Sequence, residues 1–366
     1  MTVWPAIDFG HTPHGAAFGR GDVYDVANKA ARAAKHPLKL AIAGCGGIAQ
    51  AKWIPAIRRL QSLGEPIAVA SVLDTNAEAA SAAALLSGGT TVDNLSTLLA
   101  GRPDLLLVLT SDAAHAPIAR AAIEAGIACL VEKPLTRDHR SATELAALAR
   151  SRNVPLAAVA NKRFSPPYAM AKALIDSGHL KSAPTIFTGK FTLGYPYVDL
   201  LEGGTVHLLD LTRWFMGPVA HLHARGIARD DGGLMSAVVS FAFASGAIGT
   251  IMTSAAGLSF KPWERVEIFG ANAFVVVDDQ FETALYDDET GPAKIWRPTV
   301  PSTLMFDESF GGYAGLLDNL LDAIRGVVPL ASTGADGAAV IALIDAIRLS
   351  LQRNAEIDLA AEGLMQ

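Results

Sequence analysis

The N-terminal part of the chain alternates short apolar runs with longer amphipathic segments, a pattern typical of buried parallel strands joined by helices. The apolar runs predict strands at residues 38–43, 67–73, 104–109, 127–131 and 154–160. Apolar residues at helical spacing predict helices at residues 50–63, 116–125 and 139–151. These elements predict a doubly wound parallel sheet, an α/β fold in which ligands bind beyond the carboxyl ends of the strands.

From about residue 184 the pattern changes to an alternation of apolar and polar residues, typical of strands with one buried face. Such strands are predicted at residues 185–191, 237–243, 247–253, 265–269 and 273–277, and helices at 313–325 and 334–352. They predict a C-terminal α+β domain with a large open, mostly antiparallel sheet. We therefore expect an N-terminal arm at residues 1–37, the parallel-sheet domain at 38–160 and the second domain at 161–366.

A glycine-rich turn joins the first predicted strand to the first helix and reads Gly44-Cys45-Gly46-Gly47-Ile48-Ala49. Gly44 permits a tight turn, Gly46 lets backbone N–H groups approach a pyrophosphate, and the small Ala49 allows helix and strand to pack closely. We expect Gly47 and Ile48 to border the same ligand. An isolated motif of this kind is equally compatible with a turn that binds nothing, so the rest of the chain decides.

Asp74 ends the second predicted strand, where a carboxylate that binds the ribose of a dinucleotide would lie. A helix cap is the alternative role. A cofactor 2′-phosphate about 4 Å from this carboxylate would be opposed by on the order of 4 kcal/mol at an effective dielectric constant near 20. No Lys or Arg lies between Asp74 and Leu99 to offset this repulsion. The sequence therefore favours NAD over NADP, although an Arg from a distant loop would reverse the preference.

Five segments of the chain, including the glycine turn, carry a resemblance to a known protein family. They lie at residues 43–49, 109–115, 125–135, 161–164 and 207–214, and they include Glu132-Lys133-Pro134-Leu135 and Asn161-Lys162-Arg163-Phe164. In order and spacing, over residues 38–350, they resemble the glucose-fructose oxidoreductase, inositol dehydrogenase and MocA family of sugar and cyclitol oxidoreductases. The resemblance implies a Rossmann fold for the first domain. It also implies hydride transfer between NAD(P) and a secondary alcohol or ketone of a sugar, sugar derivative or cyclitol.

The resemblance implies that Lys133 lies beside the nicotinamide ring and the reacting carbon, before a Lys-Pro bond that is often cis in relatives. Hydride removal from a carbinol leaves a developing carbonyl, and a partly desolvated ammonium can donate a hydrogen bond to it or relay its proton. Glu132 is expected to fix the loop and border the cofactor. The resemblance further implies that Thr110, Ser111 and His115 line the diphosphate and ribose of the cofactor.

His207 is the second expected catalytic residue, because the family pairs such a histidine with an aspartate four residues before it. In this chain that position is Gly203, and Glu202 or Asp199 would have to take the place of the aspartate. Asp210 lies one turn after His207 on a predicted helix, where a carboxylate can orient the imidazole for acid or base chemistry. A buried, hydrogen-bonded histidine is the alternative interpretation.

Substrate hydroxyl or carboxylate groups have several candidate contacts. They are Lys133, Arg163, Tyr195, Tyr197, His207 and Asp210. Arg163 and the two tyrosines are equally compatible with a domain interface. Two other functions stay open: a cofactor-cycling lyase, epimerase or glycosidase of the same fold, and a non-catalytic dinucleotide sensor or partner subunit. Gly203 favours the sensor, whereas retention of Lys133 and His207 favours the dehydrogenase.

Residues 237–244 have one bulky face and one face of small, weakly polar side chains. The bulky face carries Val239, Phe241 and Phe243, and the small face carries Ser240, Ala242 and Ala244. A face of this kind can pair with the sheet of a second subunit, as in proteins that the chain resembles. We therefore expect a homo-oligomer, a dimer or a tetramer, that assembles through the C-terminal sheet.

Composition agrees with one enzyme subunit of two domains. The 366 residues carry a net charge of -6, which gives no reason to expect nucleic acid or an anionic membrane as a partner. No apolar stretch reaches the roughly 18 residues that span a membrane, and the first 37 residues lack the apolar core of a secretion signal. Cys45 and Cys129 suit free thiols in a reducing cytoplasm, and no ligand cluster predicts a metal.

Overall fold

The computed structural model describes residues 34–194, 199–257, 264–297 and 307–365. Most of the predicted N-terminal arm, and the candidate contacts Tyr195 and Tyr197, lie outside the described residues. The described chain divides into two compact units. One contains residues 34–164 and 307–338, and the other contains residues 165–194, 199–257, 264–297 and 339–365. A stretch of the C-terminal third therefore belongs to the first unit.

The first unit is built on a parallel sheet that confirms the predicted doubly wound fold. Its strands are β1 (Leu38–Ala43), β2 (Ile67–Leu73), β3 (Thr90–Thr91), β4 (Leu105–Val108), β5 (Ala128–Val131) and β6 (Leu156–Ala158). The spatial order is β3-β2-β1-β4-β5-β6, so the direction of winding reverses between β1 and β4. Every residue of β4 and β5 is buried, as expected for strands covered on both faces. The reversal marks the crevice in which such sheets bind ligands.

Helices follow the strands of this sheet. A π-helical turn (Ala49–Trp53) runs into α1 (Ile54–Ser62), and the later helices are α2 (Ala77–Ser87), α3 (Leu95–Ala100), α4 (Asp112–Glu124) and α5 (His139–Ser151). Local side chains cap the N-termini of three of them, including Asn94 at α3, which accepts a hydrogen bond from the backbone N–H of Thr97. Asn76 accepts a backbone hydrogen bond from Glu78 at the start of α2, and Asp138 accepts one from Ser141 at the start of α5. A 3-10 turn (Asn161–Phe164) follows β6.

The second unit contains the predicted open sheet. Its strands are β7 (Ile186–Thr192), β8 (Val219–Ala228), β9 (Leu234–Phe243), β10 (Ile248–Ser254), β11 (Glu264–Phe269), β12 (Phe274–Asp278), β13 (Glu282–Tyr286), β14 (Lys294–Trp296) and β15 (Ile357–Asp358). The described strands lie in the order β14-β13-β12-β11-β7-β10-β9-β8-β15. Only β7 and β10 pair in parallel, so the sheet is mostly antiparallel, as predicted.

Helices α6 (Pro166–Asp176) and α7 (Val206–Met216) pack on one face of this sheet. Side chains alternate between the two faces of the sheet along β9. The helices cover the face that carries Val239, Phe241 and Phe243, which are buried. The opposite face is open and exposes large apolar side chains. These are Ile186, Val238, Ile248 and Met252.

The C-terminal third returns to the parallel sheet through α8 (Asp307–Phe310) and α9 (Tyr313–Ile324). Leu316, Leu317, Leu320 and Leu321 of α9 share one buried core with β1, β2 and β4. Each leucine buried in this way contributes about 1.5–3 kcal/mol. The sequence analysis found the helix but did not assign it to this unit.

The last helix, α10 (Gly334–Arg353), begins in the first unit. A Cβ atom at Gly337 would lie 2.5 Å from the Cβ of Ala158, so only glycine lets the start of α10 approach β6 this closely. Just before α10, the Ser332 hydroxyl donates to the carbonyl oxygen of Ala158 at 2.6 Å. Residues 307–338 are therefore an integral layer of the parallel-sheet unit.

Candidate active site

The glycine turn after β1 forms an open cradle at the start of the first helix. Gly44 has a φ of 92°, and a Cβ atom there would lie 2.4 Å from the carbonyl carbon of Leu109. Only glycine fits this conformation and this approach. Gly46 and Gly47 are exposed, and apart from the adjoining main chain no atom of the described residues lies within 4 Å of the Cβ position of either. The turn therefore leaves room for a phosphate group at a helix N-terminus.

Asp74 braces this turn from the end of β2. Its Oδ2 accepts a hydrogen bond from the backbone N–H of Cys45 at 2.6 Å, and its Oδ1 accepts one from the N–H of Asn76 at 2.8 Å. Burial and the charge of Asp74 raise the pKa of the Cys45 thiol to about 11, so this thiol stays protonated at neutral pH. The sequence analysis expected a ribose contact here and missed the brace, which depends on two backbone N–H groups.

Lys133 and Glu132 follow β5 at the carboxyl end of the sheet. Glu132 is 5% exposed, and its Oε2 accepts the backbone N–H of Lys133 at 2.9 Å. Its Oε1 accepts the indole N–H of the buried Trp53 at 2.8 Å. The expectation that Glu132 fixes the loop agrees with these contacts. The Lys133-Pro134 bond is cis and the Lys133 side chain is half-buried.

Tyr313 of α9 packs edge-on against Trp53, with ring centroids 5.1 Å apart. Burial and the nearby charge of Glu132 raise the pKa of Tyr313 above its usual value, so the phenol is neutral. The sequence analysis assigned no role to Trp53 or Tyr313. The aromatic residue four positions after Ala49 was the available signal for Trp53, whereas only the fold brings Tyr313 beside it.

His115 lies against the protein main chain. The residue is 1% exposed, with Nδ1 2.8 Å from the carbonyl oxygen of Pro134 and Nε2 3.0 Å from that of Thr110. A ring N–H donates to such an oxygen, so a neutral imidazole bonds to one of them and a cationic imidazole to both. His115 thus ties together the loops after β4 and β5, and its expected place beside the cofactor stays a prediction. Thr110 is half-buried and Ser111 is exposed at the start of α4.

Arg163 is buried in the first unit. Its side chain is 5% exposed, and Nη1 donates to the carbonyl oxygen of Ala331 at 2.8 Å while Nη2 lies 3.2 Å from Asp336 Oδ1. The guanidinium therefore joins the turn after β6 to the start of α10. These contacts describe a structural role within the first unit and give no support to a substrate contact.

The ion pair predicts an acid-dependent loss of stability. Burial alone would raise the pKa of Asp336, but the Arg163 guanidinium and hydrogen bonds from Thr333 outweigh it and hold that pKa below the usual value. We expect Asp336→Asn to lower the free energy of unfolding by about 1–3 kcal/mol at neutral pH. Because the native carboxyl has the lower pKa, the wild type loses this contribution as pH falls below about 4.

Urea unfolding at neutral pH and at about pH 3 measures that difference. The gap between wild type and Asp336→Asn should narrow at the lower pH, because the contribution is lost as the pH falls through the lowered pKa of Asp336. Asp93 is exposed, and Asp93→Asn provides the matched control, with no gap expected at either pH. A gap for Asp336→Asn that does not change with pH would contradict the assigned ion pair.

Asn161, directly after β6, was not singled out by the sequence analysis as a site residue. It is 4% exposed, and its Nδ2 donates to the carbonyl oxygen of Gly311 at 2.6 Å. Among the described residues, no donor reaches its buried Oδ1. Its position at the carboxyl end of the strand next to β5 was the available sequence signal.

In the second unit, a π-helical turn (Leu201–Thr205) precedes His207 at the start of α7. His207 is half-buried and Asp210 is 6% exposed. Arg348 of α10 holds the two carboxylates that could replace the family aspartate. Its Nη2 lies 2.6 Å from Glu202 Oε1 and 3.3 Å from Asp199 Oδ2.

Sequence profiles decide the family. Residues 38–159 match the profile described as the Gfo/Idh/MocA oxidoreductase family with an NAD-binding Rossmann fold, and residues 201–276 match the C-terminal domain of the same family. The chain belongs to the Gfo/Idh/MocA family. The resemblance inferred from the motifs is thereby confirmed, and the parallel-sheet unit is an NAD-binding domain.

Relatives within the Gfo/Idh/MocA family include sugar and cyclitol dehydrogenases. Inositol 2-dehydrogenase 2 of Saccharopolyspora erythraea is 28% identical over 207 residues, which cover 53% of this chain and 60% of that protein. Inositol 2-dehydrogenase of Rhizobium meliloti is 24% identical over 272 residues, which cover 70% and 81%. The match to the first of these spans less than two thirds of that relative.

The solved structure of levoglucosan dehydrogenase with NADH and levoglucosan superposes with a TM-score of 0.78 at 18% identity, covering 88% of this chain and 99% of that one. At this identity the likeness establishes a shared fold. The residues of the first unit fit the NAD cofactor of the family. The turn at Gly46 and Gly47 is open, and the buried Oδ1 of Asn161 accepts no hydrogen bond from the described residues.

Among the described residues, no group of three or more His, Cys, Asp or Glu side chains is arranged to hold a metal ion. Within the same residues, no helix is both long and apolar enough to cross a membrane.

Proposed function

We propose that this chain is an NAD-dependent dehydrogenase or reductase that moves a hydride between nicotinamide and a secondary carbinol or ketone of a sugar, sugar derivative or cyclitol. The observation that carries the proposal is Lys133 at the carboxyl end of β5, with its loop held by Glu132. It lies in the same unit as the glycine cradle after β1. The names of the inositol and levoglucosan dehydrogenases support the substrate class.

Each functional side chain has a distinct proposed role. NAD supplies the hydride acceptor, and the backbone at Gly44, Gly46 and Gly47 receives its diphosphate. The Lys133 ammonium donates a hydrogen bond to the reacting oxygen, which stabilises charge as it develops and gives its proton a path. His207 acts as the acid or base, with Asp210 one turn away to orient it.

Asp74 is proposed to bind the adenosine ribose and to disfavour a 2′-phosphate, in addition to its hydrogen bond with the backbone N–H of Cys45. We expect Asp74→Ala to narrow the preference for NAD over NADP by about tenfold or more, because an opposing charge at about 4 Å is removed. Fluorescence titration with NADH and NADPH gives the ratio of dissociation constants. An unchanged ratio would assign Asp74 to the brace alone, and Asp104→Ala controls for loss of an aspartate elsewhere in the unit.

Two alternative functions would use the same cofactor site. A cofactor-cycling lyase, epimerase or glycosidase would use the same residues but return the hydride before product release. A non-catalytic dinucleotide sensor is favoured by Gly203 and by the Arg348 contacts of Glu202 and Asp199, which engage both replacement carboxylates. If NADH forms when a sugar is added but stays bound to the protein, the cofactor-cycling enzyme is supported. If NADH binds but no substrate is turned over, the sensor is supported.

A homo-oligomer is proposed through the open face of the C-terminal sheet. Met252 and Val238 are 47% and 54% exposed and lie opposite each other on paired strands. An apolar face of this kind is typical of subunit interfaces. We expect wild type to scatter light as a multiple of 38.2 kDa and Met252→Glu to be monomeric, whereas Val327→Glu, exposed outside the sheet, should not dissociate. A monomeric wild type at micromolar concentration would contradict the interface.

A cytoplasmic location is proposed from the two cysteines. Both are buried free thiols, which suits a reducing compartment. Their redox state in the purified protein can be measured by alkylation under denaturing conditions.

The function is tested by following NADH absorbance with NAD or NADP across aldoses, cyclitols, uronates and keto-sugars. Formation or consumption of NADH with one class identifies the substrate class. A silent panel in the presence of tight NADH binding would contradict a free dehydrogenase and favour the sensor or internal cycling.

A further inference from the structure

The amide of Asn161 is fixed in one orientation. Only an NH2 group can donate to a carbonyl oxygen, so the Nδ2 bond to Gly311 at 2.6 Å sets which end of the amide is which. The opposite end, Oδ1, is then a buried acceptor that no described donor satisfies. A buried acceptor left without a hydrogen bond is costly, so a ligand that brings a donor to this point gains affinity.

The sheet indicates which part of a dinucleotide would reach Asn161. Winding reverses between β1 and β4, and the diphosphate of a dinucleotide crosses the sheet at such a reversal. Asp74 lies on the β2 side, where the adenosine ribose is proposed to bind. The nicotinamide half therefore extends over β4, β5 and β6, whose carboxyl ends carry Thr110, Lys133 and Asn161.

The ends of β5 and β6 lie at the same level. Val131 pairs with Ala158, and the backbone N–H of Val159 donates to the carbonyl oxygen of Val131 at 3.1 Å. Lys133 follows Val131 by two residues and Asn161 follows Ala158 by three. The side chain expected beside the reacting carbon and the unsatisfied acceptor thus come from adjacent strand ends.

We infer that Asn161 Oδ1 accepts a hydrogen bond from the carboxamide NH2 of the nicotinamide, and that Gly311 holds the amide in place for it. The contact would fix the rotation of the ring about its glycosidic bond, so that one face of the ring is turned toward the substrate. The inference rests on the proposed use of NAD. It assigns to the segment before α9 a part in the cofactor site that the N-terminal family profile, which ends at residue 159, does not include.

Three reduced dinucleotides test this contact by equilibrium binding, with fluorescence titration and thermal shift as readouts. NADH and its thionicotinamide analogue both carry the NH2 group, whereas the 3-acetylpyridine analogue has a methyl group in its place. We expect wild type to bind the first two with similar affinity and the acetylpyridine analogue about tenfold more weakly. Asn161→Leu should lose about tenfold in affinity for NADH and change little for the acetylpyridine analogue, which removes the discrimination.

The matched control is Asn319→Leu. Asn319 is a buried asparagine of the same unit whose Nδ2 donates to the carbonyl oxygen of Pro329 and whose Oδ1 accepts from the N–H of Ala331. Its replacement should cost stability but keep the discrimination between the analogues. The wild-type comparison stands even if Asn161→Leu fails to fold.

The outcomes separate this inference from the proposed function. Equal affinity of wild type for all three dinucleotides would overturn the Asn161 contact, leave NAD binding intact and indicate that a water satisfies Oδ1. An equal loss of affinity for all three in Asn161→Leu would assign the residue a structural role only. Failure of wild type to bind any of them would overturn the proposed function together with the contact.

Discussion

Lys133→Met should lower turnover by about 10³-fold or more and leave the affinity for NADH within about threefold of wild type. Methionine retains much of the length and the apolar stem of lysine but cannot donate a hydrogen bond or carry a proton. The hydrogen bond that Glu132 receives from residue 133 comes from the backbone N–H, so it survives the substitution. The loop should therefore keep its position while the chemistry is lost.

The measurement combines initial rates with NADH titration of the same protein samples. Lys39→Met is the matched control, because Lys39 is exposed near the start of β1, at the opposite end of the sheet from Lys133. It should keep both turnover and binding. Loss of NADH binding in Lys133→Met would mean that the lysine holds the cofactor rather than acting on the substrate, and full turnover would remove it from the mechanism.

Gly44→Ala should abolish dinucleotide binding and destabilise the fold, whereas Gly46→Ala should weaken binding alone. At Gly44 the added Cβ would meet the Leu109 carbonyl carbon at 2.4 Å and the Thr110 nitrogen at 2.5 Å, on a residue with φ of 92°. Backbone cannot yield as a side chain does, so we expect a loss of about 2–5 kcal/mol in the free energy of unfolding. At Gly46 the Cβ would meet no atom of the described residues within 4 Å apart from the adjoining main chain, so the fold should tolerate alanine.

The weaker binding of Gly46→Ala follows from the space that its methyl group would fill. A diphosphate needs close approach to the backbone at this point, and we expect at least about a tenfold loss in NADH affinity. Chemical denaturation and NADH titration of the two variants separate stability from binding. Normal NADH affinity in Gly46→Ala would place the phosphate elsewhere, and normal stability in Gly44→Ala would contradict the described turn.

The parallel sheet was predictable because its central strands, such as β4 and β5, are buried on both faces. Such strands appear in the sequence as continuous apolar runs, and β2 coincides with the predicted run at residues 67–73. Helix α5 likewise matches its prediction at residues 139–151, since Asp138 and the apolar spacing define its start locally. Among the later strands, β8, β13, β14 and β15 were not predicted as elements. Polar residues interrupt β8, and β14 is only three residues long.

The attachment of α9 to the parallel sheet could not be predicted. The sequence of an amphipathic helix shows which face is buried, but it does not show which surface that face packs against. The buried Glu65 illustrates this. It lies 2.6 Å from the Arg325 guanidinium, at a sequence separation of 260 residues. Neither residue carries a local signal for the other.

In the candidate site, too, contacts between residues close in sequence could be predicted, whereas contacts that only the fold creates could not. The roles of Gly44 and Glu132 depend on neighbours in the chain or on one adjacent strand, and the motifs indicated them. The family resemblance implied a cofactor contact for His115, and a substrate contact was one of two roles left open for Arg163. Their actual partners are Asp336 and two backbone carbonyl oxygens, which only the folded chain brings near.

The most direct test of the central claim follows the hydrogen itself. The protein is incubated with NAD and pooled sugars and cyclitols that carry deuterium on carbon, then denatured, and the released cofactor is analysed by mass spectrometry. Denaturation also recovers cofactor that is reduced but never leaves the site. The account predicts reduced cofactor that has gained a single deuterium in wild type and none in Lys133→Met. Cofactor that stays oxidised in wild type with every substrate, despite saturated binding, would contradict hydride transfer from a carbinol.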